Sequence, residues 1–97
     1  MFVMLYAVDK SGKKELRMSL KQQHSARLNE GAAGLRLLQS GPLLDEAGRE
    51  IGSLGVFEAN SCDQVAAYVS EDPYEKAGLF ETVVIREWLW RRGNPHV

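Results

Sequence analysis

His24 and Asp72 are the two side chains whose types and settings could do chemistry together. His24 lies in the run Lys13 to Leu28, and counting in fours from Leu16 gives Leu20, His24 and Leu28. That spacing puts the imidazole on the apolar stripe of an amphipathic helix. Asp72 opens Asp72-Pro73-Tyr74, where the proline stops a preceding helix from continuing. A histidine on the buried side and a carboxylate at a tight corner are the parts of an oriented acid/base pair. The carboxylate would fix the tautomer and stabilise the imidazolium, leaving the ring to take up and return a proton. Such a pair suits isomerisation or elimination on a small organic or aromatic acid, and it needs no cofactor.

The residues alone leave plainer roles open. His24 could be a helix histidine satisfied by a backbone carbonyl, and Asp72 could simply cap the turn at Pro73. The two Asp72 roles are compatible, because one oxygen can accept from backbone amides while the other faces His24. A Ser-His-Asp triad through Ser25 or Ser40 also stays open, although neither serine sits on an elbow motif. A metal centre is a poor fit, since the chain has 2 histidines, one of them His96 in the solvated tail. No glycine-rich phosphate loop follows a strand, so nucleotide cofactors are not expected. The single cysteine, Cys62, has no partner for an internal disulfide or a CxxC site and reads as incidental.

The elements that must position these groups follow from periodicity and breakers. Phe2 to Val8 is a continuous apolar run, read as a buried strand. The helix carrying His24 follows Ser11-Gly12 and ends at Gly31 to Gly34. Leu35 to Leu44 is a second strand, with Ser40-Gly41-Pro42 marking an edge or a bulge. After Asp45-Glu46-Ala47-Gly48 a third strand runs from Ile51 to Glu58, its Gly52 and Gly55 allowing close approach to the backbone. Ser61 and Gln64 are spaced as a capping box for a second helix with Val65, Ala66, Tyr68 and Val69 on its apolar side. Asp72 to Gly78 is a single helical turn, and Thr82 to Trp90 is the last strand. The order β-α-β-β-α-β is that of a ferredoxin-like α+β domain, a four-stranded antiparallel sheet with both helices on one face. The strands are apolar at more than alternate positions, so the face away from the helices needs covering, and a second copy would cover it.

The 97 residues make one domain, 1–97, small enough to gain from pairing. A formal net charge of -1 excludes nucleic acid as the main partner, and Arg91-Arg92 beside Trp88 and Trp90 reads as a solvated tail. The apolar opening from Met1 to Val8 lacks a basic start and is too short to span a bilayer, so no membrane role is expected and the cytoplasm is the expected compartment.

Taken together, Phe2 to Ala7, His24 with Arg27-Leu28, Ser40-Gly41-Pro42, Gly52-Ser53 and Asp72-Pro73-Tyr74 with Ala77-Gly78-Leu79 resemble the YCII-related family. The resemblance implies a dimeric α/β-barrel fold, a homodimer packed through its sheet faces, and a catalytic centre on His24 and Asp72. It brings dehydrochlorination of chlorinated aromatics into view as one reaction of the scaffold. Lys21 departs from the family pattern, in which arginine often stands three residues before the histidine. Lysine keeps the charge but not the bidentate fork.

The expected site is therefore one cleft per protomer holding His24 and Asp72, walled by Tyr6 and Tyr74, with the corner at Ser40 and Gly41 converging on it and the partner subunit closing it. Lys21 and Arg27 are the candidate cations for a small-molecule ligand. The rival reading from another class is a non-catalytic module that binds a small anion through Lys21, Arg27 and His24.

Overall fold

The computed structural model describes residues 1–96; Val97, the end of the expected tail and domain, lies outside the described residues. The chain runs β1 (Phe2–Asp9), α1 (Lys14–Glu30), β2 (Arg36–Leu44), β3 (Glu50–Glu58), α2 (Cys62–Ser70), α3 (Pro73–Lys76) and β4 (Phe80–Glu87). One antiparallel sheet has the order β2-β3-β1-β4, so the fold is ferredoxin-like, as the sequence predicts.

Alternation on β1 sets the two faces. Val3, Leu5 and Ala7 point into the helix layer and are buried, joining Phe57, Val65, Val69, Tyr74 and Leu79 in the core. Leu16 and Leu20 of α1 pack against that core, which confirms the stripe counted in fours. Pro42 sits on β2, an edge strand, where its missing N–H costs no ladder bond, and the β2–β3 register shifts on either side of it. At Gly52 an added Cβ would collide with the Ala7 carbonyl oxygen, so the expected close approach is β1 itself.

Ser61 caps α2 by accepting from the Gln64 N–H at 3.1 Å, while the Gln64 side chain reaches back to the Asn60 N–H at 2.8 Å. The last strand is displaced from its expected bounds: it begins at Phe80 and ends at Glu87 rather than running from Thr82 to Trp90. Its length is set by its partner. Glu87 pairs with Val3 near the start of β1, and Phe80 pairs with Asp9 at its end. Trp88 and Trp90 lie beyond the ladder, stacked on each other at 5.0 Å, with the exposed His96 edge-on to Trp90.

α1 buries one residue that hydrophobicity would not select. Arg17 is 4% exposed and donates to both oxygens of Asp9, at 2.6 and 2.9 Å, and to the Ser53 hydroxyl at 2.9 Å. Burial works against its charge, and the hydrogen bonds and charge of Asp9 more than offset this, so the guanidinium is held above its ordinary value. Its carbon lies 4.6 Å over the Tyr74 ring.

Burial pushes the Tyr74 phenol up from its usual value, opposed in part by Arg17, and burial does the same to Tyr68. Between the unfolded and the raised folded value, the native chain holds protons that the unfolded chain has released. Stability therefore falls as pH climbs past about 10. Urea unfolding at about pH 8 and about pH 11 should show a smaller loss for Tyr74→Phe than for the wild type; an equal loss would contradict this.

Candidate active site

The geometry begins at Asp72. This residue is the N-cap of α3, and its Oδ1 accepts from the Tyr74 N–H at 2.8 Å. Pro73 at the first helical position leaves that carboxylate at a fixed corner. His24 reaches it from α1, with Nδ1 at 2.7 Å from Oδ2 and 3.0 Å from Oδ1. The Tyr74 ring stacks on the imidazole, centroids 4.1 Å apart and planes inclined by 20°. A carboxylate oxygen can only accept here, so the proton of a neutral His24 belongs on Nδ1 and the lone pair on Nε2. One side chain thus caps a helix turn and orients an imidazole.

His24, Asp72 and Tyr74 share the lining of a cleft of about 150 Å³. Its floor comes from Ser53, Gly55 and Phe57 of β3, and Ser40, Gly41 and Pro42 close one side. The walls are mostly apolar, which is the usual form of a small-molecule site. Ser25 also faces the cleft, but among the described residues no serine hydroxyl is hydrogen-bonded to His24.

Two of the expected binding residues, Tyr6 and Arg27, are placed differently, and Lys21 is where expected but paired. Tyr6 is not a wall of the cleft. Strand alternation turns it away from Leu5 and Ala7, and it lies 42% exposed on the outer sheet face, paired with Leu54 and Val84. Arg27 lies behind the site, not on its lining. Its guanidinium stacks 3.9 Å over the Tyr68 ring, donates to the Tyr68 carbonyl at 2.6 Å and stands 3.6 Å from Asp72 Oδ2. Lys21 does line the cleft, yet its ammonium is paired with Glu50 at 3.0 Å. Both candidate cations therefore face a carboxylate of the protein.

Arg17, Ser53 and Glu50 are lining residues that the sequence reading missed. A signal for Arg17 existed: it precedes His24 by seven residues, two helical turns, and so shares its stripe. Among the described residues, no group of three or more His, Cys, Asp and Glu side chains could hold a metal ion. No helix is long and apolar enough to cross a membrane.

Comparison with known proteins places this architecture. The protein YciI of Escherichia coli is 32% identical over 92 residues, spanning 89% of this chain and 94% of its own. An uncharacterised protein of Haemophilus influenzae is 29% identical over 92 residues with the same coverage. Among solved structures, 5-chloro-2-hydroxyhydroquinone dehydrochlorinase (TftG) of Burkholderia phenoliruptrix, in complex with 2,5-dihydroxybenzoquinone, superposes with a TM-score of 0.81 at 30% identity, covering 92% of this chain and 94% of the neighbour. Protein Atu4242 of Agrobacterium tumefaciens shares the fold, with a TM-score of 0.58 at 15% identity over 98% of each chain. The YCII-related domain model matches residues 1–89, and the chain belongs to that family.

Proposed function

We propose that this protein is a cofactor-independent lyase or isomerase acting on a small hydroxylated aromatic or organic acid, with His24 as the general acid/base. The observation that carries the reading is the 2.7 Å contact from His24 Nδ1 to Asp72 Oδ2 at the wall of an apolar cleft. With Nδ1–H donated to Asp72, Nε2 takes a proton from a substrate hydroxyl or an acidic C–H. In an elimination the electron pair so released forms a new double bond, and the leaving group departs with the electrons of its own bond. In an isomerisation the imidazolium returns the proton to a different atom. Asp72 stabilises the imidazolium in between, and the Tyr74 ring stacked on the imidazole restrains its rotation. The dehydrochlorinase neighbour, bound to a dihydroxybenzoquinone, supports the elimination branch and a ring-shaped ligand.

The test is turnover. Chloride release from 5-chloro-2-hydroxyhydroquinone, together with a panel of small phenolic acids, should identify a substrate for the wild type. Removing a general acid/base costs about 10²–10⁴ in rate, so His24→Ala should lose at least that on the substrate found. Wild-type rates in that variant would end the proposal.

We further propose that the working unit is a cytoplasmic homodimer joined through the outer sheet face. Leu54, Tyr6 and Val84 form a cross-strand row there, and Leu54 and Tyr6 are exposed. Leu54 also lines the cleft, so a partner seated on this face would stand beside the site. Sedimentation at micromolar concentration should give twice the 10.8 kDa of the chain. A 10.8 kDa species would refute the dimer.

A further inference from the structure

We propose that Ser53 is a specificity-determining donor, holding a second oxygen of the same substrate whose first oxygen meets His24. This rests on the cleft being the substrate site, as set out above. Ser53 is the one buried serine of the cleft lining, 8% exposed, whereas Ser25 and Ser40 lie at exposed positions. It sits on β3 opposite Ala7, at an inward position where an apolar side chain would pack without cost.

The Ser53 oxygen accepts from Arg17 Nη2 at 2.9 Å. Among the described residues its side chain makes no other hydrogen bond, so its own O–H is uncommitted while its oxygen is held by a cation. A hydroxyl in that state is a donor fixed in position and polarised by the guanidinium. Arg17 cannot turn away, because its Nε and Nη2 are both anchored on Asp9.

The same guanidinium connects Ser53 to the acid/base group. It covers the Tyr74 ring at 4.6 Å, and that ring stacks on His24 at 4.1 Å. Ser53 and His24 thus belong to one rigid wall, with Arg17 and Tyr74 between them. Charge complements this arrangement. Arg17 is matched by Asp9 and Lys21 by Glu50, so the lining offers hydrogen bonds but no unmatched cation. Such a cleft favours an uncharged ring with two separated oxygens over a simple carboxylate. One oxygen gives its proton to His24 Nε2, and the other accepts from Ser53.

The test uses phenol, with one oxygen, and hydroquinone, with two across the ring, titrated anaerobically into the intact protein and followed by NMR at the His24 ring and the Ser53 amide. The wild type should bind hydroquinone about tenfold more tightly than phenol, the worth of one hydrogen bond to a polarised donor. Ser53→Ala should erase that difference while leaving the phenol affinity unchanged, and Ser53→Thr, which restores a hydroxyl, should recover it. An equal loss for both probes in Ser53→Ala, or no loss for either, would overturn the role of Ser53 while leaving His24 as the proton carrier. Failure of both probes to shift the His24 ring would instead overturn the reading of the cleft, and this inference with it.

Discussion

The Asp72 carboxylate joins the local folding of one corner to the chemistry proposed for the whole cleft. Its Oδ1 closes the turn at Tyr74, and its Oδ2 holds the imidazole of a residue 48 positions earlier. An N-cap of this kind is worth about 0.5–2 kcal/mol, which is a large share for a helix of 4 residues. Pro73 and the capping bond fix the corner, so the position of the carboxylate does not depend on His24 alone. The imidazole is then clamped between that carboxylate and the Tyr74 ring. Asparagine at this position would keep the cap and lose the charge, which separates the two roles.

Behind the imidazole stands a second buried ionic contact. Arg17 and Asp9 are almost without solvent, and breaking such a pair from one side costs about 3–5 kcal/mol. A hydrophobic pair could fill the same space at no loss of stability, so the retention of charge here asks for a reason. The contacts supply one: the guanidinium reaches the floor of the cleft at Ser53 and covers the ring on which His24 rests. Arg27 plays a comparable part on the other side, locking α1 to the Tyr68 carbonyl and adding positive charge near Asp72.

Element order and the His24 stripe were legible in the sequence because each rests on local periodicity or on a breaker. Asp72 was legible because proline marks the corner and forces the residue before it out of the helix. What was hidden depends on partners that belong to other elements. Arg17 occupies the same stripe as His24, but a charged residue earns a core position only through Asp9, which belongs to another element. Lys21 was visible as a cation, while its neutralising Glu50 stands 29 residues later. Tyr6 was misplaced because a continuous apolar run conceals which parity faces inward; burial of Leu5 and Ala7 decides it. The tryptophans after Glu87 extend the apolar pattern of β4, but the paired register ends at Val3 and Glu87, and only the Trp88 N–H continues it, to the Phe2 carbonyl at 2.9 Å.

The claim on which all of this turns is that Asp72 sets the tautomer of His24, and ¹⁵N NMR of the imidazole reads that directly. At a pH where the ring is neutral, the wild type should carry its proton on Nδ1, with the unprotonated signal at Nε2. Asp72→Asn, which keeps the cap, should shift the ring toward the other tautomer. A wild-type ring protonated on Nε2, or a tautomer indifferent to Asp72→Asn, would contradict the account.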